Sequence, residues 1–271
     1  MKNELQSSNS TNAAAVSDRQ LTRLFPGDSE LATLMRALDW SQTPLGAVET
    51  WPQSLCTFVK TCLLSRFPML IMWGRESVML YNDAYRPILG SRKHPQALGQ
   101  RAQECWWEVW QVFKPMLDTV LIQGEATWFE DALFSLERNG YLEESYFTFS
   151  HSPIFDETGN VGGVFTAVTE TTQRVLSERR LSALSELAAQ TAGLTTVAAA
   201  CAASMAVLAK NPDDPSFVLL YSVDLATGQA SLTMATGLTP GTELSPLEVN
   251  CASADTDLSR RFKQVLETGR S

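Results

Sequence analysis

The sequence has very little histidine, with 2 such residues among 271. This scarcity leaves little room for metal sites built on histidine or for phosphorelay chemistry. The 5 cysteines are odd in number and form no Cys-x-x-Cys pair. This argues against a disulfide framework and a structural zinc, and it favours a reduced, cytoplasmic chain. The net charge is −9, from 21 lysines and arginines against 30 aspartates and glutamates, which argues against nucleic-acid binding.

A long apolar run is also missing. Residues 187–209 carry no charge and have the length of a membrane span, but alanine dominates them and Gly193 interrupts them. They therefore predict two soluble helices and no membrane span. Residues 1–24 predict a disordered tail, and no apolar core of a secretory signal stands at the start. With 44% hydrophobic residues, the chain can bury real cores, and its length suits about two domains.

The order of apolar patterns predicts an α+β fold. In residues 25–66, apolar residues at helical spacing predict an N-terminal helical extension with two amphipathic helices. Residues 67–172 combine short apolar runs with a central helical segment, and turn signals such as Asn139-Gly140 close two hairpins. We therefore expect a five-stranded antiparallel sheet with flanking helices to one side.

The pattern changes after residue 172. Residues 173–194 predict a linker helix with a heptad-like seam at Leu181, Leu184, Ala188 and Thr191. Such a seam suits a parallel homodimer, although a monomeric helix packed on its neighbours would show the same pattern. Residues 195–271 predict an entry helix, a hairpin and another helix, as in a smaller α+β domain.

Residues 67–172 resemble a PAS sensor domain. The matching positions, in order along the chain, are Asn82, Ala84, Gly90, Leu98-Gly99, Asp156, Gly159, Gly163 and Glu170-Thr171-Thr172. The preceding segment around Trp40, Thr43 to Gly46 and Trp51-Pro52 is similar to the N-terminal extension of a bacterial subgroup. In that subgroup a PAS domain is followed by a GAF domain and a histidine kinase core. Residues 195–271 look like a partial GAF domain.

The resemblance implies a sensory region of a two-component histidine kinase. Such a region detects a small-molecule or redox signal and relays it through a dimeric linker helix to a kinase core in the same polypeptide, which acts on a response regulator. We expect no enzymatic activity in this chain, because His94 and His151 lack a phosphoacceptor context and no nucleotide-binding glycine loop occurs. The alternatives are a dimerisation or protein-interaction module without ligand, the input module of a cyclic-nucleotide signalling enzyme, and an enzyme.

No cofactor is indicated by the positions where family members carry one. Cys105 lies in a Glu-Cys-Trp context that differs from the flavin-binding pattern, and residues 114–124 hold no histidine for haem. Cys201 and Cys251 lack the neighbouring histidine that is typical of bilin attachment. The signal itself stays open.

A set of aromatic residues is the main indication of a binding site. Small-molecule sites are mostly apolar and aromatic with a few polar groups, although core packing would explain the same residues. His151 would be a polar or pH-sensitive group in this pocket, or a hydrogen-bonded core histidine. The candidate pocket residues are Trp73, Tyr81, Tyr85, Trp110, Phe113, Trp128, Phe147, Phe149, His151 and Phe165.

The junction between the last strand and the linker helix is the candidate for signal coupling. Glu170 and Thr172 lie where the strand becomes the helix, and Arg174 follows one turn later. A carboxylate at this point pairs with a nearby cation such as Arg174 or caps the helix. A shift in sheet packing would then release or rotate the helix, while the alternative is an ordinary helix cap.

Overall fold

The computed structural model describes residues 19–211, 215–253 and 256–269, which form two compact units that meet in sequence between Val175 and Leu176. Of the predicted disordered tail, residues 1–18 lie outside the described part. The prediction is wrong for residues 19–24, which are helical. Their apolar residues recur at helical spacing, and the side chains of Leu24 and Phe25 are buried in the core.

The first unit contains the predicted antiparallel sheet. Its strands are β1 (Met69–Trp73), β2 (Val78–Tyr81), β3 (Thr127–Glu137), β4 (Leu142–Phe155) and β5 (Val161–Glu170). They lie in the order β2-β1-β5-β4-β3, and each neighbouring pair is antiparallel. The α+β class and the two predicted hairpins of β3 to β5 are therefore confirmed.

Besides the helical residues 19–24, five α-helices are found among the described residues of this unit: α1 (Glu30–Ala37), α2 (Gln53–Leu64), α3 (Arg86–Lys93), α4 (Ala102–Cys105) and α5 (Trp110–Gln123). Ser29 caps α1 by accepting a hydrogen bond from the backbone N–H of Ala32. Helix α3 contains a kink at Gly90, whose φ of 67° lies in the left-handed region.

Helices cover both faces of the sheet, so the expectation that they lie to one side is wrong. Phe113 of α5 packs on one face, with its ring centroid 5.4 Å from that of His151. Phe58 of α2 packs on the other face, 5.6 Å from Phe165. The physical reason is that β1 buries residues on both of its faces. The predicted N-terminal extension therefore shares a single hydrophobic core with the sheet.

The second unit is smaller. Helix α6 (Thr172–Thr191) leaves the end of β5, and α7 (Val197–Ala209), β6 (Val218–Asp224), β7 (Gln229–Thr236), β8 (Glu248–Asn250) and α8 (Asp257–Thr268) follow. The three strands pair in the order β6-β7-β8, of which β8 was not predicted. Ala230, Val249 and Cys251 form its buried core. In the described part of the chain, no helix is both long and apolar enough to cross a membrane.

Candidate functional site

A small cavity of about 50 Å³ lies between α5 and the sheet face that carries His151. Helix α3 and the segment between α4 and α5 complete its wall. Most of the lining is phenyl and aliphatic, with few polar groups. The lining residues are Tyr85, Ile88, Trp106, Val109, Phe113, Phe134, Leu136, Phe147, Phe149, His151, Thr166 and Val168.

Five of the ten predicted pocket residues line this cavity, namely Tyr85, Phe113, Phe147, Phe149 and His151. The three on β4 occupy alternate positions of the strand, so their side chains lie on the same face, as the sequence alone predicts. Thr166 was missed, although its register could follow from the β4–β5 hairpin: it lies directly opposite His151. Trp106 was not among the predicted pocket residues either, although its spacing from Trp110 and Phe113 is helical.

Trp128 and Phe165 do not reach the cavity, and their assignment to it was wrong. Trp128 is 66% exposed, since it pairs with Ser150 on the sheet face opposite to Phe149. Phe165 is on that same opposite face and contacts Phe58 of α2. Both errors come from sheet geometry, because one residue of offset moves a side chain to the other face.

Trp73, Tyr81 and Trp110 also lie outside the cavity lining. Trp73 ends β1 and packs tightly against Gly163, where an added Cβ would lie 2.7 Å from the indole ring. The Tyr81 hydroxyl is hydrogen-bonded to His94 Nδ1 at 3.0 Å, and His94 Nε2 lies 3.0 Å from Glu30 of α1. Trp110 packs beside Phe113 and borders a separate surface cleft.

His151 is the polar centre of the cavity. Its side chain is fully buried, and its Nδ1 lies 2.7 Å from the hydroxyl oxygen of Thr166. Within the described part of the chain its Nε2 has no hydrogen-bond partner. Burial lowers the pKa of His151 to about 4, so the imidazole is neutral at pH 7. A neutral imidazole with one free nitrogen is able to bind a polar group of a ligand.

Trp106 supplies a second unpartnered polar atom. Its side chain is buried, and among the described residues its indole nitrogen Nε1 also lacks a partner. Lys93 of α3 lies over the ring at 4.3 Å and forms an ion pair with Glu108. This contact fastens the segment between α4 and α5 to α3. The described residues hold no cluster of three or more metal-ligating side chains.

The junction at the end of β5 is built around Arg138, which sequence reasoning missed. Arg138 donates from Nη1 and Nη2 to the two carboxylate oxygens of Glu170 at 2.8 and 2.6 Å. The Thr172 hydroxyl donates to the same carboxylate at 2.9 Å. Burial raises the pKa of Glu170, but the hydrogen bonds and charge of Arg138, with the Thr172 hydroxyl, outweigh it and lower the pKa below its ordinary value.

Arg174 does not pair with Glu170, contrary to the prediction. It donates to the carboxylate of Asp131 at 2.6 Å, and the Thr171 hydroxyl donates to Asp131 as well. Asp131 adopts a positive φ of 47° at the irregularity in the β3–β4 pairing, which brings its carboxylate to the start of α6. A bulge of this kind leaves no sequence signal strong enough to predict the pair.

Arg138 also contacts the wall of the cavity. Its Nη1 lies 3.4 Å from the carbonyl oxygen of Pro87, which precedes the lining residue Ile88 in α3. At the kink of α3, Gly90 lies so close to Arg138 that an added Cβ would be 2.5 Å from its carbonyl oxygen. A single buried cation therefore connects the cavity wall to the first residues of α6.

The chain is similar to several solved structures at low sequence identity. No family model matches the chain, and no curated protein matches it. A sensory box sensor histidine kinase from Vibrio cholerae is 19% identical, over 43% of this chain and 89% of that one, with a TM-score of 0.31. The PAS domain of BvgS from Bordetella pertussis is 19% identical, over 49% of this chain and 96% of that one, with a TM-score of 0.37. A PAS domain from Colwellia psychrerythraea is 14% identical, over 44% of this chain and 98% of that one, with a TM-score of 0.34.

Proposed function

We propose that the first unit is a PAS-type sensory module whose core cavity receives a small-molecule signal. The observation that carries the proposal is the position of Arg138, which contacts the cavity wall through Pro87 and holds Glu170 at the start of α6. Under this proposal the chain belongs to a histidine kinase that acts in the cytoplasm. Residues 195–271 are then part of a GAF domain, the kinase core lies in the same polypeptide, and a response regulator receives the signal.

The relay depends on two arrangements of the ion pair. Occupation of the cavity displaces Ile88 and the preceding turn of α3, and the tight contact of Gly90 transmits this movement to Arg138. A guanidinium pairs in two parallel bonds only when its plane matches the carboxylate, so a small rotation weakens the bond to Glu170. Helix α6 is then released from the sheet or turned. Such coupling requires that the signal molecule bind one arrangement more tightly than the other.

Glu170→Gln tests the relay because it preserves shape and removes the charge. We expect faster amide hydrogen exchange in residues 172–191 of the whole chain, and an altered signal response in the parent kinase. Glu76→Gln is the matched control, since the ion pair of Glu76 with Arg101 is solvent-exposed and follows the end of β1 that pairs with the start of β5, whereas Glu170 ends β5. Unchanged exchange and an unchanged response in Glu170→Gln, with tryptophan fluorescence showing a folded unit, would disprove the relay.

A dimerisation or protein-interaction module without ligand is the second candidate. Leu181 and Leu184 of α6 are 65% and 61% exposed, and Trp128 and Leu133 are exposed on the outer face of β3. Light scattering at high concentration should show a dimer that Leu181→Ser/Leu184→Ser dissociates, with Leu225→Ser, at 81% exposure, as the control outside α6. A strictly monomeric wild type would rule out the predicted homodimer through the linker helix. Cyclic-nucleotide signalling as the output is distinguished by the enzymatic activity of the parent protein.

A further inference from the structure

We infer that the cavity binds an uncharged carbonyl compound of about four non-hydrogen atoms or fewer, whose oxygen accepts hydrogen bonds from Trp106 and His151. This inference rests on the proposed function, because it names the class of signal molecule that the same cavity receives. Trp106, His151 and the apolar walls carry it, whereas the relay depends on Ile88 and the Arg138 junction.

The polar atoms of the cavity lining determine which functional group the ligand carries. The indole N–H of Trp106 is a donor and never an acceptor, so a partner must present an acceptor. His151 uses Nδ1 for Thr166, so Nε2, in the half of the ring that is remote from the backbone, is the nitrogen left for a ligand, and the ring packs against Phe113 of α5. When the Thr166 hydroxyl donates to Nδ1, Nε2 carries the proton and is a second donor. A carbonyl oxygen has two lone pairs and is able to accept from both.

The other residues of the cavity lining determine the charge and the size of the ligand. None of the twelve lining residues is charged at neutral pH, so a carboxylate or an ammonium group would lose its hydration without a partner. The phenyl rings of Phe113 and Phe149 beside His151 suit an apolar body. An apolar cavity of about 150 Å³ holds benzene, and this one has about 50 Å³. In proportion, the rigid cavity has room for about two non-hydrogen atoms, and a ligand of four fits only when the lining is displaced.

An internal water is the competing occupant, because buried polar groups without protein partners commonly bind one. Water would satisfy the same nitrogens but would leave the apolar walls without contacts. A small ketone or aldehyde satisfies both parts of the lining. A ligand of this size reaches a Kd of roughly tens of micromolar at best, so the titration must extend well into the millimolar range.

The test is an NMR titration of the whole chain, labelled with ¹⁵N at the tryptophan indoles, with acetone as the probe. Trp106→Phe assigns the Trp106 signal and removes the donor while retaining an aromatic side chain. We expect a saturable downfield shift of the Trp106 N–H proton, and contacts from the acetone methyl protons to the rings of Phe113 and Phe149. Acetate, which has the same number of non-hydrogen atoms and a negative charge, should cause no saturable shift.

A comparison of probes separates hydrogen bonding from simple filling. Isobutene has the shape of acetone without its oxygen. In Trp106→Phe the ratio of acetone affinity to isobutene affinity should fall roughly tenfold, because one hydrogen bond is lost for acetone alone. Thr127→Val is the matched control, since the Thr127 hydroxyl is also buried without a partner among the described residues but does not line the cavity. This variant should leave the ratio unchanged.

Three results would overturn the inference: no saturable acetone shift in the wild type, an unchanged affinity ratio in Trp106→Phe, or saturable binding of acetate. If Trp106→Phe does not fold, the wild-type contacts between acetone and the two phenyl rings decide the question alone. The relay is tested by hydrogen exchange in Glu170→Gln without any probe molecule. Failure of acetone binding and failure of the relay are therefore distinguishable.

Discussion

His151 illustrates how burial changes the chemistry of one side chain. It lies on the same strand face as Phe147 and Phe149. The alternation of side chains along β4 was sufficient to predict that it lies in the core. This alternation does not predict that Nδ1 is hydrogen-bonded to Thr166, or that Nε2 has no partner among the described residues. That outcome depends on the β4–β5 register and on the helix opposite, both of which are tertiary properties.

The pH dependence of stability should report this burial. Burial lowers the pKa of His151 from 6.5 to about 4, so between these values the unfolded chain binds a proton that the folded chain does not. Stability is then complete above about pH 6.5 and falls as the pH drops toward 4. We expect a loss of about 2 kcal/mol between pH 7 and pH 5 from this group.

Urea unfolding followed by tryptophan fluorescence measures this loss, because all 7 tryptophans lie before residue 176 and report the first unit. His151→Gln should lose less stability than the wild type over the same pH interval, since glutamine does not titrate. His94 and the carboxylates are present in both proteins and cancel in the comparison. Equal pH dependence in the two proteins would contradict the buried, neutral state of His151.

Gly90 is the second residue whose identity tertiary contact dictates. Its φ of 67° is strained for other residues, and a Cβ there would collide with the backbone of Arg138. Gly140, with a φ of 93° and open space around it, has the backbone strain without the collision. Gly90→Ala should therefore reduce the free energy of unfolding by roughly 1–3 kcal/mol more than Gly140→Ala. Equal losses in urea unfolding would show that the α3–Arg138 contact is loose.

At the scale of elements, the N-terminal extension is part of the sheet unit. Periodicity predicted its helices, because their apolar residues recur at helical spacing. The sheet face that α2 covers was not predictable, since the helix pattern identifies the apolar stripe but not its partner. β1 indicates the answer only indirectly: a strand that is apolar on both faces needs cover on both faces.

Leu55→Ala tests whether the extension is integral to the unit. The side chain is fully buried in the core that α2 shares with the sheet. We expect its truncation to lower the free energy of unfolding of the first unit by about 2–5 kcal/mol. Ile122→Ala on α5, where the residue is 81% exposed, should change it by less than about 0.5 kcal/mol. A small effect of Leu55→Ala on the tryptophan transition would show that the extension packs independently of the sheet.

At the scale of the whole molecule, the two units differ in the size of their cores. The first buries a large set of apolar residues from five strands and the surrounding helices, whereas the described residues of the second bury only five, namely Met205, Val207, Ala230, Val249 and Cys251. The second unit also exposes Phe217, Leu244 and Leu247. A small core supplies little hydrophobic stabilisation against the entropy of the chain.

We therefore expect unfolding in two steps. Far-UV circular dichroism, which detects both units, should begin to change at a lower urea concentration than tryptophan fluorescence, which detects the first unit. Val249→Ala should move the early step and leave the fluorescence transition in place, because Val249 belongs to the second core. Coincident transitions from both probes would contradict the prediction.

The sequence by itself determined the α+β class, the hairpins of β3 to β5 and the inward face of β4, since hydrophobic periodicity and turn chemistry act over neighbouring residues. Only the tertiary structure decided that Trp128 and Phe165 lie on the opposite sheet face from the cavity. It also decided that Arg138, and not Arg174, pairs with Glu170. The reason is that strand register, the β3 irregularity and helix placement bring together residues that are distant in the chain. Local sequence patterns do not determine which of these distant residues come into contact.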